Sequence, residues 1–173
     1  MVIWLVGLSG SGKTTLGREM ARQWRSVQAN TVLLDGDEVR EVFAHDRNND
    51  DAYTVAGRRT NAERLVALCE LLDRQGINVV CCILSLFPDM REANRSRFSR
   101  YFEIFMDANM DALKLRDTKG LYRAASAGTQ HNVVGVDIPF PRPTSADLII
   151  SSSGDCPDIV ALARRTLEQA GAR

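Results

Sequence analysis

The chain of 173 residues lacks long apolar runs, an excess of charge of either sign, and the cysteine spacing of metal sites. A membrane-spanning helix needs ~20 consecutive apolar residues, and no stretch approaches that length, so no membrane partner is expected. Twenty-two Lys and Arg balance twenty-two Asp and Glu, so no global field favours a nucleic-acid polymer. The four cysteines form no CxxC pair and no Cys/His pattern typical of zinc.

The sequence also lacks a visible signal peptide. Met1 leads directly into a short apolar run without a basic region or a long apolar core, so the cytoplasm is the expected compartment.

The apolar content of 45% and charged content of 25% are typical of globular proteins and argue against collagen-like, disordered and disulfide-scaffold classes. Because domains typically run ~100–200 residues, we expect one domain over residues 1–173.

Short apolar runs alternate along the chain with segments of helical periodicity. The runs predict five strands, at residues 2–6, 31–34, 77–84, 101–106 and 147–150. The intervening segments predict helices at residues 14–28, 37–44, 58–75, 89–99, 110–116 and 157–170. This alternation indicates an α/β protein with a five-stranded parallel sheet and helices on both faces. Residues 46–53 and 117–145 are irregular, and the second of these segments is expected to be a lid.

Residues 7–14 read Gly-Leu-Ser-Gly-Ser-Gly-Lys-Thr and match GxxxxGK[ST] at every fixed position, between a predicted strand and a predicted helix. Such a loop curls backbone N–H groups around phosphate oxygens, Lys13 neutralises the terminal phosphates, and the Thr14 hydroxyl ligates Mg²⁺. The motif therefore predicts ATP and Mg²⁺ as cofactors. The predicted donor-binding residues are Gly7, Leu8, Ser9, Gly10, Ser11, Gly12, Lys13, Thr14 and Thr15.

The phosphate-binding loop alone does not say where the terminal phosphate goes. The guanine-reading Asn-Lys-x-Asp motif is absent from the sequence, which weakens a GTPase switch, and the length leaves little room for a mechanical ATPase. A small-molecule kinase is the favoured interpretation. A nucleotide-binding module without chemistry is the alternative from another class.

Two acids follow the second predicted strand, at Asp35 and Asp37. Open α/β sheets bind their ligands at the carboxyl ends of strands, so a carboxylate here can hold Mg²⁺ or accept the proton of an attacking hydroxyl. Which acid serves which purpose stays open, and Asp37 as a cap of the next helix is the structural alternative. Arg40, one turn further, suits a second anionic group of the acceptor.

These motifs, in this order, resemble the adenylylsulfate kinase family over roughly residues 2–150. Besides the loop and the two acids, the resemblance rests on Arg58, Asn61 and the stretch Arg-Asp-x-Lys-Gly-Leu-Tyr at residues 116–122. It implies a P-loop NTPase-type three-layer sandwich with a lid. It also implies transfer of the ATP γ-phosphoryl group to the ribose 3′-hydroxyl of adenosine 5′-phosphosulfate, a small-molecule nucleotide acceptor.

The resemblance assigns further roles residue by residue. Tyr53 falls where the family has a base-stacking Phe, and Ser85 falls on a serine that is phosphorylated in some members, although direct transfer is simpler. Arg116 adds positive charge over the donor when the lid closes. The implied acceptor-binding residues are Asp37, Arg40, Tyr53, Arg58, Asn61, Leu84, Ser85, Lys119 and Val133. Without the resemblance, Arg58 and Asn61 would be interpreted as solvated residues at a helix start, and Tyr53 as a loop anchor.

Two departures from the family pattern concern the acceptor. Leu-Ser-Leu-Phe at residues 84–87 replaces Ile-Ser-Pro-Tyr and loses the proline of the turn, and Val133 replaces an aromatic residue. Because stacking contributes ~1–3 kcal/mol per base, one lost aromatic face weakens adenine binding. Two acceptors therefore stay open: adenosine 5′-phosphosulfate, slightly preferred, and cytidine diphosphoramidate, the substrate of a similar kinase subgroup from surface-polysaccharide gene clusters.

The resemblance also bears on assembly. Related kinases are often dimers, which makes a homodimer one candidate, but the sequence identifies neither the oligomeric state nor an interface. Phe98, Tyr101, Phe102 and Phe105 are candidates for an interface or for the core around the fourth strand.

Overall fold

The computed structural model describes residues 1–43, 50–117, 120–152 and 158–172. Its strands are β1 (Val2–Val6), β2 (Thr31–Asp35), β3 (Asn78–Ile83), β4 (Tyr101–Asp107) and β5 (Leu148–Ser151). Its α-helices are α1 (Lys13–Val27), α2 (Gly36–Val42), α3 (Val55–Arg74), α4 (Pro88–Arg97), α5 (Met110–Arg116), α6 (Leu121–Ser126) and α7 (Ile159–Gln169). A short 3₁₀-helix covers Asp50–Tyr53.

The five strands form one parallel sheet in the order β2-β3-β1-β4-β5. In its register, Leu5 of the central strand lies between Cys82 and Ile104. Every residue of β1 is buried, as expected for a strand that is covered on both faces. The predicted α/β class and the five predicted strands are confirmed.

Two apolar layers cover the sheet. On one face Trp4 and Val6 pack with Leu65 and Cys69 of α3. On the other face Ile3 and Leu5 pack with residues of α1 and α7, among them Leu16, Met20, Ala163 and Leu167. Burial of these side chains fixes the sheet between its helices, and that frame holds the carboxyl ends of β1, β2 and β3 at one edge.

The structure differs from the sequence-based expectation at several boundaries. Helix α3 begins at Val55 instead of residue 58, because the Thr54 hydroxyl caps it by accepting a hydrogen bond from Gly57 N at 3.1 Å. The predicted irregular lid contains α6, which is too short to show periodicity and follows the left-handed Gly120. The predicted helix end at residue 44 and helix start at residue 157 lie outside the described residues.

The aromatic residues around β4 divide between core and rim. Phe98 and Phe105 are buried, so they serve the core and not an interface, whereas Tyr101 and Phe102 are half-buried.

Within the described ranges, no helix combines the length and apolar character needed to cross a membrane.

Candidate active site

The phosphate-binding loop joins the end of β1 to the start of α1. Gly10 and Gly12 have φ values of 76° and 92°, a left-handed conformation that glycine adopts without steric cost. Ser11 N–H donates to the Leu8 carbonyl at 3.2 Å, and Lys13 Nζ donates to the same carbonyl at 2.7 Å. The loop is therefore a closed turn that leads directly into α1. Lys13, the first residue of α1, reaches back across this turn.

Cys82 supports the loop from β3. Its thiol donates to the Lys13 carbonyl with the sulfur 3.4 Å from that oxygen. Burial, reinforced by the nearby charge of Asp35, raises the pKa of Cys82 to about 12, so the thiol stays protonated at neutral pH. The sequence did not reveal this contact between β3 and the loop.

Thr14, in the first turn of α1, contacts Asp35 at the end of β2. Thr14 Oγ1 donates to Asp35 Oδ2 at 2.7 Å, and Asp35 is 6% exposed. Mg²⁺ prefers hard oxygen ligands and is usually held by one or two carboxylates together with substrate phosphates. A hydroxyl and a carboxylate in contact beside a phosphate-binding loop fit that ion. Among the described residues, no group of three or more His, Cys, Asp or Glu forms a separate metal cluster.

The two acids after β2 have different surroundings. Asp35 caps α2, because its Oδ1 accepts a hydrogen bond from Asp37 N at 2.9 Å. The alternative in which Asp37 provides this cap is therefore wrong. The Asp37 side chain is 67% exposed, and its Oδ1 accepts a hydrogen bond from Arg40 Nη1 at 2.9 Å. The Asp35 side chain therefore contacts Thr14, whereas the Asp37 side chain contacts Arg40.

Two arginines flank the Tyr53 ring. The guanidinium carbons of Arg40 and Arg58 lie 4.9 Å and 5.6 Å from the ring centroid. Burial and the neighbouring charge of Arg40 lower the pKa of Arg58. The buried Arg40 Nε has no hydrogen-bond partner among the described residues. Two cations held so close together attract an anionic group, and Tyr53 offers an aromatic surface beside them.

Arg58 and Asn61 also bind backbone groups of the site. Arg58 donates from Nε to the Tyr53 carbonyl at 2.8 Å and from Nη2 to the Asn132 carbonyl at 2.9 Å. Asn61 Nδ2 donates to the Gly36 carbonyl at 3.1 Å, and the buried Asn61 Oδ1 has no partner within the described residues. Asn61 is 2% exposed, so the alternative of a solvated residue at a helix start is wrong for it.

The lid segment contacts the phosphate-binding loop and covers the site. Tyr122 of α6 donates its hydroxyl proton to the Ser9 carbonyl at 2.8 Å, which ties the lid to the phosphate-binding loop. Burial and the charge of Asp117 raise the pKa of Tyr122 to about 12, so the phenol remains a donor. Val133 and Val134 are buried and contribute an aliphatic wall.

A single cavity of about 590 Å³ joins these parts. The sequence-predicted residues that line it are Ser9, Gly10, Gly12, Lys13, Thr14, Thr15, Asp35, Asp37, Arg40, Tyr53, Arg58, Asn61, Leu84, Ser85 and Val133. Most of both predicted sets therefore meet in one place. The donor phosphates and a second substrate can share this volume, as direct transfer requires.

Other predicted residues lie elsewhere. Gly7, Leu8 and Ser11 belong to the loop but are not in the cavity lining. Arg116 is exposed at the end of α5 and does not line the described part of the cavity, so its role over the donor stays a prediction. Lys119 lies outside the described residues.

Sequence reasoning missed several lining residues. They are Cys82, Ile83, Leu86, Phe87, Leu121, Gln130, His131, Asn132 and Val134, with Gly36 and Ala62. Leu121 belongs to the Arg-Asp-x-Lys-Gly-Leu-Tyr stretch and was detectable there. Residues 130–132 are polar and match no motif, so the sequence does not indicate that they line the cavity. Their position depends on how the lid folds over the sheet.

The fold and the cavity place the chain in the class of P-loop small-molecule kinases. A family model described as Adenylylsulphate kinase matches residues 1–151, and the chain belongs to that family. Membership makes it a phosphotransferase that acts on a nucleotide hydroxyl.

Individual relatives differ in their acceptor. Over 152 residues the chain is 40% identical to a cytidine diphosphoramidate kinase of Campylobacter jejuni, covering 88% of this chain and 86% of that one. It is 31% identical over 170 residues to an adenylyl-sulfate kinase of Synechococcus, covering 96% and 94%. The APS kinase CysC of Mycobacterium tuberculosis, solved with AMPPNP and APS, is 29% identical, with a TM-score of 0.81 over 98% of this chain and 96% of that one.

Proposed function

We propose that the chain transfers the γ-phosphoryl group of ATP to the ribose 3′-hydroxyl of a 5′-nucleotide. The observation that carries this proposal is one cavity lined both by Lys13 and Thr14, which we call its donor end, and by Arg40, Tyr53 and Asn61, which we call its acceptor end. The AMPPNP complex of the mycobacterial kinase supports ATP as the donor. The acceptor end, with two arginines on an aromatic ring, suits a base and an anionic group of one nucleotide.

On the donor side, residues 9–13 hold the phosphates through backbone N–H groups and the Lys13 ammonium. Thr14 and Asp35 would hold Mg²⁺, which when bound neutralises charge on the β- and γ-phosphates. Asp35 is held in place twice, by the Thr14 hydroxyl and by the N-terminus of α2. Because its position is fixed, the Asp35 carboxylate suits holding Mg²⁺ better than accepting the proton of the attacking hydroxyl.

On the acceptor side, Asp37 is the carboxylate available to a hydroxyl. Its exposed side chain lines the cavity, and Arg40 orients it. In the proposed step a bond forms from the ribose 3′-oxygen to the γ-phosphorus while the bond from that phosphorus to its bridging oxygen breaks. The hydroxyl proton passes to Asp37, and the leaving group is ADP. The lid, tied to Ser9 through Tyr122, excludes water from this transfer.

We propose cytidine diphosphoramidate as the acceptor. Support comes from the 40% identity to the Campylobacter enzyme, compared with 31% to the Synechococcus enzyme. It also comes from the wall formed by Val133 and Val134, which offers apolar contact without a second aromatic face. A single-ring pyrimidine loses less than a purine when one stacking partner is absent. Adenosine 5′-phosphosulfate is the second candidate, favoured by the family whose model matches residues 1–151.

The test incubates the protein with Mg·ATP and, separately, with each acceptor, and identifies the product by mass spectrometry. We expect a nucleotide heavier by one phosphoryl group, and a higher kcat/KM for cytidine diphosphoramidate than for adenosine 5′-phosphosulfate. The reverse preference would make the second candidate the acceptor. If neither nucleotide, nor any other 5′-nucleotide in a panel, stimulates ADP formation above background hydrolysis, the kinase proposal fails.

A further inference from the structure

Two residues of the acceptor end hold an unusual backbone conformation. Ser85 and Asn132 are the non-glycine residues of the described chain with positive φ, at 55° and 61°, and both line the cavity. Side chains other than glycine rarely adopt this region, and such residues persist where the surrounding structure fixes them. In both cases an arginine does so: Arg58 donates to the Asn132 carbonyl, and Arg91 donates to the Ser85 carbonyl at 2.9 Å.

The residue after Ser85 permits this conformation. Leu86 occupies the position at which the family pattern has proline. A residue that precedes proline is pushed towards extended conformations, whereas leucine imposes no such restriction. The turn at residues 84–87 is consequently not shaped by a proline ring. Some other group must hold it in the form that lines the cavity.

Arg91 of α4 is that group. It is 6% exposed, and besides Ser85 it donates to the Pro141 carbonyl from Nη2 at 3.5 Å. Its Nε lies 3.6 Å from Oε1 of Glu103, which is 2% exposed in β4. The other carboxylate oxygen of Glu103 accepts the Tyr101 hydroxyl at 2.7 Å. A buried carboxylate thus orients the guanidinium, and the guanidinium connects the acceptor turn to the end of the lid segment.

We propose that the buried Arg91–Glu103 pair is a positioning element for the acceptor, which sets the Ser85 turn in the conformation that receives the nucleotide. This inference rests on the proposed assignment of that end of the cavity to the acceptor. Buried ion pairs are often replaceable by apolar residues of similar volume without loss of stability. The planar fork of arginine instead supplies several donors in fixed directions, which two carbonyls and one carboxylate use here.

The test separates positioning from folding with a paired substitution. Arg91→Ala alone would leave Glu103 buried without its partner and risks unfolding, so the primary variant combines Arg91→Met with Glu103→Gln. This variant keeps the volume and removes both charges together. We expect it to fold, with an unchanged KM for ATP and an acceptor KM raised roughly tenfold, the size expected for loss of a hydrogen bond from a charged donor. The matched control is Arg97→Ala on the same helix, whose exposed ion pair with Glu70 does not reach the cavity.

A second variant distinguishes loss of the positioning role from a general loss of structure. Arg91→Lys keeps the charge but offers one ammonium in place of the fork, so we expect an acceptor KM between those of the wild type and the double variant. Wild-type transfer is measured first, because its absence would overturn the proposed function instead. If the wild type is active and the folded double variant keeps the wild-type acceptor KM, or if its acceptor and ATP KM values rise equally, the positioning role is overturned.

Discussion

The two ends of the cavity are built differently. The donor end comes almost entirely from one short segment, residues 9, 10 and 12–15, and from Asp35 at the end of β2. The acceptor end combines α2, the 3₁₀-helix, α3, the turn after β3 and the lid segment. Phosphate binding is therefore encoded locally, whereas acceptor choice depends on how distant segments meet.

The difference extends to the backbone. At the donor end, left-handed conformations fall on glycines such as Gly10 and Gly12, where they cost little. At the acceptor end they fall on Ser85 and Asn132, where side-chain contacts from arginines hold them. We expect substitutions at the donor end to abolish turnover with any acceptor. Substitutions at the acceptor end should instead change selectivity.

The largest expected effect belongs to Lys13→Ala. Loss of the ammonium removes the positive charge that offsets charge on the transferred phosphoryl group, and we expect kcat to fall by about 1000-fold with every acceptor. Steady-state kinetics measure this loss, and circular dichroism checks that the fold is retained. Near-normal turnover in a folded variant would defeat the assignment of the phosphate-binding loop.

Asp37→Asn is expected to have the next largest effect. The amide cannot take the hydroxyl proton, so kcat should fall by about 100-fold while the KM for ATP stays near its wild-type value. Glu38→Gln is the matched control, since Glu38 is the adjacent acid and its ion pair with Arg18 lies outside the cavity. An unchanged kcat for Asp37→Asn, or an equal loss in the control, would remove Asp37 from proton transfer.

Val133→Phe tests the acceptor end alone. An added aromatic face contributes ~1–3 kcal/mol to stacking on a base, so we expect the ratio of kcat/KM for adenosine 5′-phosphosulfate over cytidine diphosphoramidate to rise by about tenfold. The KM for ATP should not change. A ratio that stays constant would show that residue 133 does not contact the base.

The smallest expected effect is that of Tyr122→Phe. The ring keeps its burial, but the hydrogen bond to the Ser9 carbonyl is lost, which is typically worth about 1 kcal/mol. We expect acceptor-independent ATP hydrolysis to rise by about fivefold, since the lid is less firmly tied to the loop. Hydrolysis at the wild-type rate would separate this contact from water exclusion.

The sequence predicted the fold more completely than the site. Five strands and the central phosphate-binding loop were readable because apolar runs and the GxxxxGK[ST] motif are local signals. Helix α6 was missed because six residues show no periodicity. The sequence offered Asp37 as the cap of α2, whereas the structure places Asp35 there; both are aspartates, a residue type that favours this position, and only the hydrogen bond that Asp37 N donates to Asp35 distinguishes them.

The acceptor end shows the limit of sequence reasoning more clearly. The family resemblance pointed to Arg40, Arg58 and Asn61, and the structure brings them to the cavity. Nothing in the sequence indicated that Arg91 and Glu103 would pair behind the Ser85 turn, because eleven residues and a change from helix to strand separate them. Pairings of that kind depend on the register of α4 against β4, which no local pattern encodes.

Phosphoryl transfer is measured directly by following the γ-phosphate of isotopically labelled ATP in the presence of wild-type protein, Mg²⁺ and cytidine diphosphoramidate. We expect the label to appear on the ribose 3′-oxygen of the acceptor, in an amount equal to that of the ADP formed. Label released only as inorganic phosphate, at a rate that does not depend on the nucleotide added, would contradict the claim that the two ends of the cavity form one transfer site.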